Sequence, residues 1–165
     1  MKTGIWLILI LCGLSSCESV GYGMLDNSID ADSFSVEIFE EQAANAPAGY
    51  GANFTEFLRD FLVSRSKMKL KNDKADIEIT GKIKSYFTTP AAVQSDEVAA
   101  LNSLKVSIEV SVINNKDEKQ SFEKNFNQFS NYESSSDLSS VEDALLEDIN
   151  EKLSQDILSQ LSSNW

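Results

Sequence analysis

The sequence predicts an α+β fold, a two-layer sandwich ordered β-α-β-β-β-α, with two helices on one face of an antiparallel or mixed four-stranded sheet. Three observations lead there. Several segments alternate apolar and polar residues with a period of two, so each strand buries one face only. Two other segments switch to the helical period. And strict alternation leaves one sheet face for the helices to cover and the other for solvent, which is the two-layer solution.

The first strand is read at Ser33–Phe39, with Phe34, Val36 and Ile38 on one side and Ser35 and Glu37 on the other. Glu40 to Gly51 contains Pro47, Gly49 and Gly51 and is a loop. Asn53 to Ser66 then places Phe54, Phe57, Leu58, Phe61 and Leu62 on one helical stripe, and Asn53 with Glu56 resembles a capping box. An aromatic stripe at this spacing is what packing onto a sheet requires, so it is read as core. Asp76 to Phe87 alternates again, with Ile77, Ile79, Gly81, Ile83 and Phe87 facing the core and Glu78, Thr80, Lys82, Lys84 and Tyr86 facing away. Leu104 to Val112 is the cleanest strand, apolar at every even position. The polar Asn114–Asp117 turn brings the chain back as a hairpin partner over Gln120–Tyr132. There Phe122 and Phe126 share a face while Phe129 has the opposite parity, and a bulge near Asn127–Gln128 would restore the register. Ser139 and Glu142 form a second capping box. Behind it Val141, Leu145, Ile149, Leu153, Ile157 and Leu161 repeat every four residues as a long helix. Thr88–Ser103 is left as a long loop of the kind that is often functional.

The ends of the chain define three parts. Residues 1–16 read as a lipoprotein signal peptide, in which Lys2 precedes the apolar run Ile5–Leu14, too short to span a bilayer as a helix. Leu14-Ser15-Ser16-Cys17 then matches a bacterial lipobox, which makes Cys17 the lipidated first residue of the mature chain. Residues 17–32 form a Gly-, Ser- and Asp-rich tether, and 33–165 the folded domain. Cys12, the second of two cysteines, leaves with the leader, so the mature chain has no intrachain disulfide.

Composition excludes several classes. The formal net charge is −12, which disfavours nucleic acid and anionic surfaces as broad electrostatic partners. The sequence contains no histidine, which removes the commonest general base and zinc ligand. No glycine-rich phosphate loop and no nucleophile elbow is present. Asp96 and Glu97 in the long loop, and Glu147, Asp148 and Glu151 on the last helix, are the acidic clusters; on a helix such a run is a solvated face. No metal, no cofactor beyond the lipid on Cys17, and no enzymatic activity are expected.

Several segments together resemble a known family. They are the lipobox, the strand near Phe34–Phe39, the helix start Asn53-Phe54-Thr55-Glu56-Phe57-Leu58, and Gly81-x-Ile83 leading into Tyr86-x-Thr88-Thr89-Pro90. Ala99-Ala100-Leu101-Asn102-x-Leu104, Phe126-x-x-Phe129-x-x-Tyr132 and the stretch from Leu138 to Trp165 complete the pattern. In order and spacing the chain resembles the LptE family of lipopolysaccharide-assembly lipoproteins, in the form found in Bacteroidota. The resemblance implies an outer-membrane lipoprotein on the periplasmic side. It would sit in the lumen of the LptD β-barrel as its plug and assembly partner, helping deliver lipopolysaccharide to the outer leaflet. The open sheet face fits a polar lumen. Lys82, Lys84 and Lys105, expected as neighbours there, are the candidate contacts to lipopolysaccharide phosphates. Two other roles remain compatible with the residues, an accessory docking lipoprotein of another envelope transport complex and a periplasmic small-ligand binder.

Overall fold

The computed structural model describes residues 29–91 and 101–163. The elements run β1 (Ser33–Val36), β2 (Glu40–Glu41), α1 (Tyr50–Arg65), β3 (Lys69–Leu70), β4 (Ile77–Pro90), β5 (Leu101–Asn114), β6 (Phe122–Glu133) and α2 (Leu138–Ser163). The α+β two-layer class holds. The sheet is larger than the expected four strands. Among the described residues it has six, in the order β3-β1-β4-β5-β6, with β2 also on β4. The extra members are the two-residue strands β2 and β3, too short for a periodic signal. β1, β2 and β3 pair in parallel, while β4, β5 and β6 form an antiparallel meander.

The core lies between the sheet and both helices. Phe34, Val36, Ile77, Ile79, Ile83 and the even positions of β5 from Leu104 to Val112 line the sheet side and are buried. From α1 come Tyr50, Phe54, Leu58, Phe61 and Leu62, and from α2 Leu145, Ile149, Leu153, Ile157, Leu158 and Leu161. The helices are joined by a buried polar contact in which the Tyr50 hydroxyl donates to Asn150 Oδ1 at 2.7 Å. Burial raises the Tyr50 hydroxyl well above the ordinary phenol range, so it stays a donor.

The first strand is not continuous to Phe39. It breaks after Val36 and resumes at Glu40, and the break turns Ile38 out to solvent while Phe39 goes in. The reason is local. The Phe39 amide donates to Thr55 Oγ1 at 3.0 Å, and that hydroxyl donates to Gly51 O at 2.7 Å, which ties the break to the first turns of α1. The Phe39 ring meets Phe54 edge-on, with centroids 5.0 Å apart. It also lies directly over Gly81, where a Cβ would come within 2.2 Å of the ring.

Neither capping box forms as expected. α1 begins at Tyr50, three residues before Asn53, behind Gly49 in the left-handed region (φ 82°). Its free amide at Gly51 is satisfied from outside the helix, by Glu41 Oε1 at 3.0 Å, a carboxylate placed by β2 at the positive helix end. α2 begins at Leu138, so Ser139 is already helical, and Glu142 accepts from the Tyr86 hydroxyl rather than reaching back. Two hairpin expectations also change. Thr88–Pro90 and Leu101–Ser103 belong to the β4–β5 ladder, closed by Ala91 N donating to Leu101 O at 2.8 Å, so the flanks of the expected loop are strand. Its middle, 92–100, lies outside the described residues.

The bulge expected near Asn127–Gln128 is not in β6, whose register with β5 is unbroken. It is in β4. Ile83 pairs with Ile108 and Ser85 with Ser107, so Lys84 is the extra residue. Beyond it the faces exchange. Tyr86 is buried and Phe87 is 44% exposed, the reverse of the simple alternation.

Phe39 makes the two glycines distinguishable. A Cβ at Gly51 would sit 2.2 Å from the Phe39 carbonyl oxygen, whereas the one at Gly81 meets only ring atoms. Both Gly51→Ala and Gly81→Ala are expected to lower stability by about 1–3 kcal/mol. Adding Phe39→Leu should recover part of the loss at Gly81 and none at Gly51, since the backbone oxygen remains. Urea unfolding of the single and double variants checks this, and equal recovery at both sites would refute the packing argument.

Candidate functional site

The face of the sheet away from the helices is the candidate site. Among the described residues no element covers it. β5 supplies its centre through Lys105, Ser107, Glu109 and Ser111, the odd positions of the strand. β4 contributes Thr80 and Lys82 before the bulge and Ser85 and Phe87 after it. β6 adds Glu123, Asn125, Asn127 and Phe129, again the odd positions. The bulge therefore divides the face into two halves of different chemistry.

The first half is charged. Lys82 stands opposite Glu109, and its Nζ donates to Glu109 Oε1 at 3.1 Å. Lys84, lifted by the bulge, reaches the other oxygen of Glu109 at 3.7 Å and donates to Gln42 Oε1 at 3.1 Å. The contact with Lys82 holds the Glu109 carboxyl below its ordinary range, and the same contact raises Lys82. Glu37, Glu40 and Glu123 line the same hollow as Lys82 and Glu109, and the charges of Glu40 and Glu123 add to that of Glu109 in raising Lys82.

The second half is apolar with a single cation. Lys105 pairs laterally with Phe87 on one side and Phe129 on the other, and both rings are exposed, at 44% and 52%. Together with Ser85, Ser107 and Asn127 they border a shallow hollow of about 230 Å³. Lys105 has no charged partner among the described residues.

The three lysines are thus on the expected face but do not form one cluster. Lys82 and Lys84 share Glu109, while Lys105 lies four positions along β5, about 13 Å away. The expectation that Lys82, Lys84 and Lys105 are neighbours is corrected accordingly at Lys105. Cys17 lies outside the described residues, as do Asp96 and Glu97. On α2, Asp148 pairs with Lys152 at 2.5 Å beside the exposed Glu147 and Glu151, a solvated face. Among the described residues no group of three potential metal ligands comes together, and no helix is long and apolar enough to cross a membrane.

The alternation of β5 already placed Glu109 on this face, but not its pairing with Lys82; Phe87, Glu123 and Phe129 were missed as parts of it. Phe129 carried a signal, its parity opposite to Phe122 and Phe126. An exposed aromatic, not a bulge, is what that parity means. For Phe87 there was no such signal: adjacent Tyr86 and Phe87 take opposite faces in any strand, and which of them is buried is decided by the bulge at Lys84.

Comparison with known proteins adds the family. None of the curated proteins matches the chain. Solved structures with a similar fold include the hypothetical protein CT253 from Chlamydia trachomatis, 14% identical over 81% of this chain and 97% of that one, with a TM-score of 0.59. A minor lipoprotein from Acinetobacter baumannii is 16% identical, covering 81% and 94%, with a TM-score of 0.52. Rare lipoprotein B from Shewanella oneidensis is 14% identical, covering 79% and 94%, with a TM-score of 0.51. At such identities the likeness shows the fold. A family model described as LptE, lipopolysaccharide-assembly, matches residues 31–161, which spans both layers and the whole open face, and the chain belongs to that family.

Proposed function

We propose that the mature chain, anchored by lipid on Cys17, is the plug and assembly partner of an LptD-type outer-membrane β-barrel and acts in lipopolysaccharide transport from the periplasmic side. The observation that carries this reading is the family match across residues 31–161 on a domain whose second sheet face is uncovered among the described residues and charged over half its length. A barrel lumen is polar, and the charged half of this face with the Ser and Asn positions of β5 and β6 offers it hydrogen-bonding side chains. Lipid anchoring would hold the domain next to its barrel and raise its effective concentration there. The role asks the chain for binding and shape only. It calls for no catalytic group and no cofactor, in keeping with a sequence that has no histidine.

Purification of the lipidated chain from its native membranes in mild detergent tests the reading. A stoichiometric barrel protein of the translocon class is expected. Recovery of an inner-membrane transporter instead would favour an accessory docking lipoprotein, and a bound small molecule on the isolated chain would favour a ligand binder.

Direct contact with lipopolysaccharide is proposed at Lys105, because it has no carboxylate partner among the described residues and is flanked by two exposed rings. Lys82 and Lys84 are both paired with Glu109 and are not expected to contribute. Lys105→Glu should weaken binding of purified lipopolysaccharide roughly tenfold, ~1.4 kcal/mol, the size of one hydrogen bond to a charged group. The double change Lys82→Glu/Lys84→Glu should leave binding within about twofold of wild type. The opposite ranking in an equilibrium binding assay would remove Lys105 from the proposal.

The ion pairs make a pH prediction of their own. Lys82 is raised in the folded state, so its contribution to stability is complete below the unfolded value of about 10.4 and fades as pH rises through the folded one. Glu109 is lowered, so its contribution is present above about 4.3 and fades as pH falls through the folded value. Glu109→Gln should return the Lys82 titration towards the ordinary range, followed by NMR at its side chain. An unchanged Lys82 titration would show that the contact is not formed in solution.

A further inference from the structure

The sheet ends on β6, and the ladder geometry fixes which of its backbone groups are left over. In an antiparallel ladder the N–H and C=O of one residue point to the same neighbour, and successive residues point to opposite sides. Ala91 N donates to Leu101 O and Asn115 N to Asp76 O, each at 2.8 Å, so the odd residues of β5 point to β4 and the even ones to β6. Since even residues of β5 stand opposite even residues of β6, the odd residues of β6 direct both backbone groups to the free edge. These are alternate residues from Glu123 to Glu133, and the same residues carry their side chains on the open face. All six are exposed. Lys152 of α2 donates to Phe129 O at 3.2 Å, and Ser136 N donates to Glu133 O at 3.0 Å. Among the described residues none hydrogen-bonds the outward backbone of Glu123–Asn127, while Asp156, Ser159 and Gln160 of α2 border a hollow beside Asn125 and Asn127.

An edge of this length without proline or a bulge is a template for another strand. We infer that β6 accepts, by strand addition, an extended segment of a partner polypeptide that places a basic side chain beside Glu123 and an apolar side chain beside Phe129. The inference rests on the plug reading only in supposing that the partner is the barrel protein, and it specifies the surface and the chemistry of that contact.

Charge complementarity selects the occupant. At the Glu123 end Glu37, Glu40, Glu109 and Glu123 line one hollow with Lys82, and an added strand carries its own side chains next to Glu123, at the border of that surplus of negative charge. At the other end Phe129 and Phe87 offer apolar surface on the same face. The two ends are six positions apart on β6, about 20 Å, so the partner segment needs its basic and apolar residues six positions apart with the same side-chain parity. A second copy of β6 does not satisfy this. On the relevant face it presents only Glu, Asn and Phe, with no cation to meet Glu123. A phosphorylated glycolipid is disfavoured at the Glu123 end by the same carboxylates.

The geometry gives a test that separates edge use from folding. A photo-crosslinking side chain at position 125 or 127 of the full lipidated chain, in native membranes, is expected to join a partner polypeptide, and the crosslinked peptide should carry the basic and apolar residues at that spacing. A crosslinker at position 71, on the opposite side of the sheet, should not capture the same segment. Asn127→Pro removes an outward N–H and no ladder bond, so the chain should fold while the crosslink from position 125 falls at least fivefold. Gln128→Pro removes a ladder bond and serves as the unfolding control. If Asn127→Pro does not fold, the same loss is sought with Asn125→Pro and with Glu123→Lys, which leaves the backbone intact.

Recovery of the barrel in the pull-down without any crosslink from positions 125 and 127 would overturn the strand-addition inference and leave the plug reading standing. A crosslink to a different polypeptide carrying the required spacing would support the inference and overturn the barrel as partner. Crosslinking to a second copy of the chain, or to lipid alone, would overturn the inference.

Discussion

The wedge of Phe39 between two glycines is the constraint on which the other arrangements depend. Its carbonyl lies where a side chain at Gly51 would be, and its ring lies where a side chain at Gly81 would be. The first contact sets how closely the β1–β2 break can approach α1, and the second sets how closely that break can lie on β4. With both distances fixed, Thr55 can bond the Phe39 amide and Glu41 can reach the amide of Gly51. A helix with no side-chain cap of its own thus obtains one from a two-residue strand. Neither strand nor cap would be stable alone, since a two-residue strand has too few pairs and an isolated helix end leaves its amides bare. Their mutual support explains why a chain segment with two glycines and a proline holds a defined position.

A second irregularity, the bulge at Lys84, decides what the other face of the sheet looks like. Without it, Phe87 would join the core and Tyr86 would stand in solvent. With it, Tyr86 packs beside Tyr50, with centroids 6.3 Å apart, and donates to Glu142 of α2. Burial, and then the Glu142 carboxylate, raise that hydroxyl far above the phenol range, which keeps it protonated and holds the start of α2 to the sheet. The same step sends Phe87 to the open face beside Lys105 and Phe129. One inserted residue therefore fastens the second helix on one side and creates the apolar half of the candidate site on the other.

The regular parts were legible because periodicity reports burial directly. The even positions of β5, the stripe of α1 and the four-residue repeat of α2 all face the core as their spacing requires. What was not legible shares one cause, that each depends on a contact distant in sequence. Asn53 and Glu56 have the pattern of a capping box, yet the helix starts earlier because Glu41 satisfies its amide and Gly49 supplies the left-handed turn. Alternation along Ser33–Phe39 favoured Ile38 as core, and the pull of Thr55 on the Phe39 amide reversed it. For the site, the open face was foreseen and its grouping was not. Parity places Lys82, Lys84 and Lys105 on one face of an ideal strand, but whether they are neighbours, and which has a carboxylate partner, is set by the register against Glu109 on the adjacent strand.

The lengths of the elements explain why one edge of the sheet stays available. β4 and β5 have 14 residues each, about 46 Å of strand, whereas α1 with 16 residues is about 24 Å long. Only α2, with 26 residues and about 39 Å, can back the meander along most of its length. It does so under β6, where Gln128 donates to Asp156 at 2.6 Å and Lys124 donates to Gln160. The helix layer thus covers the inner side of β6 without wrapping over its edge, apart from the single bond from Lys152 to Phe129. Natural sheets commonly protect such an edge with charges pointed along it or with proline. Here proline is lacking between Phe122 and Glu133, and three of the six outward residues are Asn, whose side chains donate and accept without opposing an incoming strand. An edge this polar and this regular is one that the proposed plug role, inside a larger sheet structure, would use.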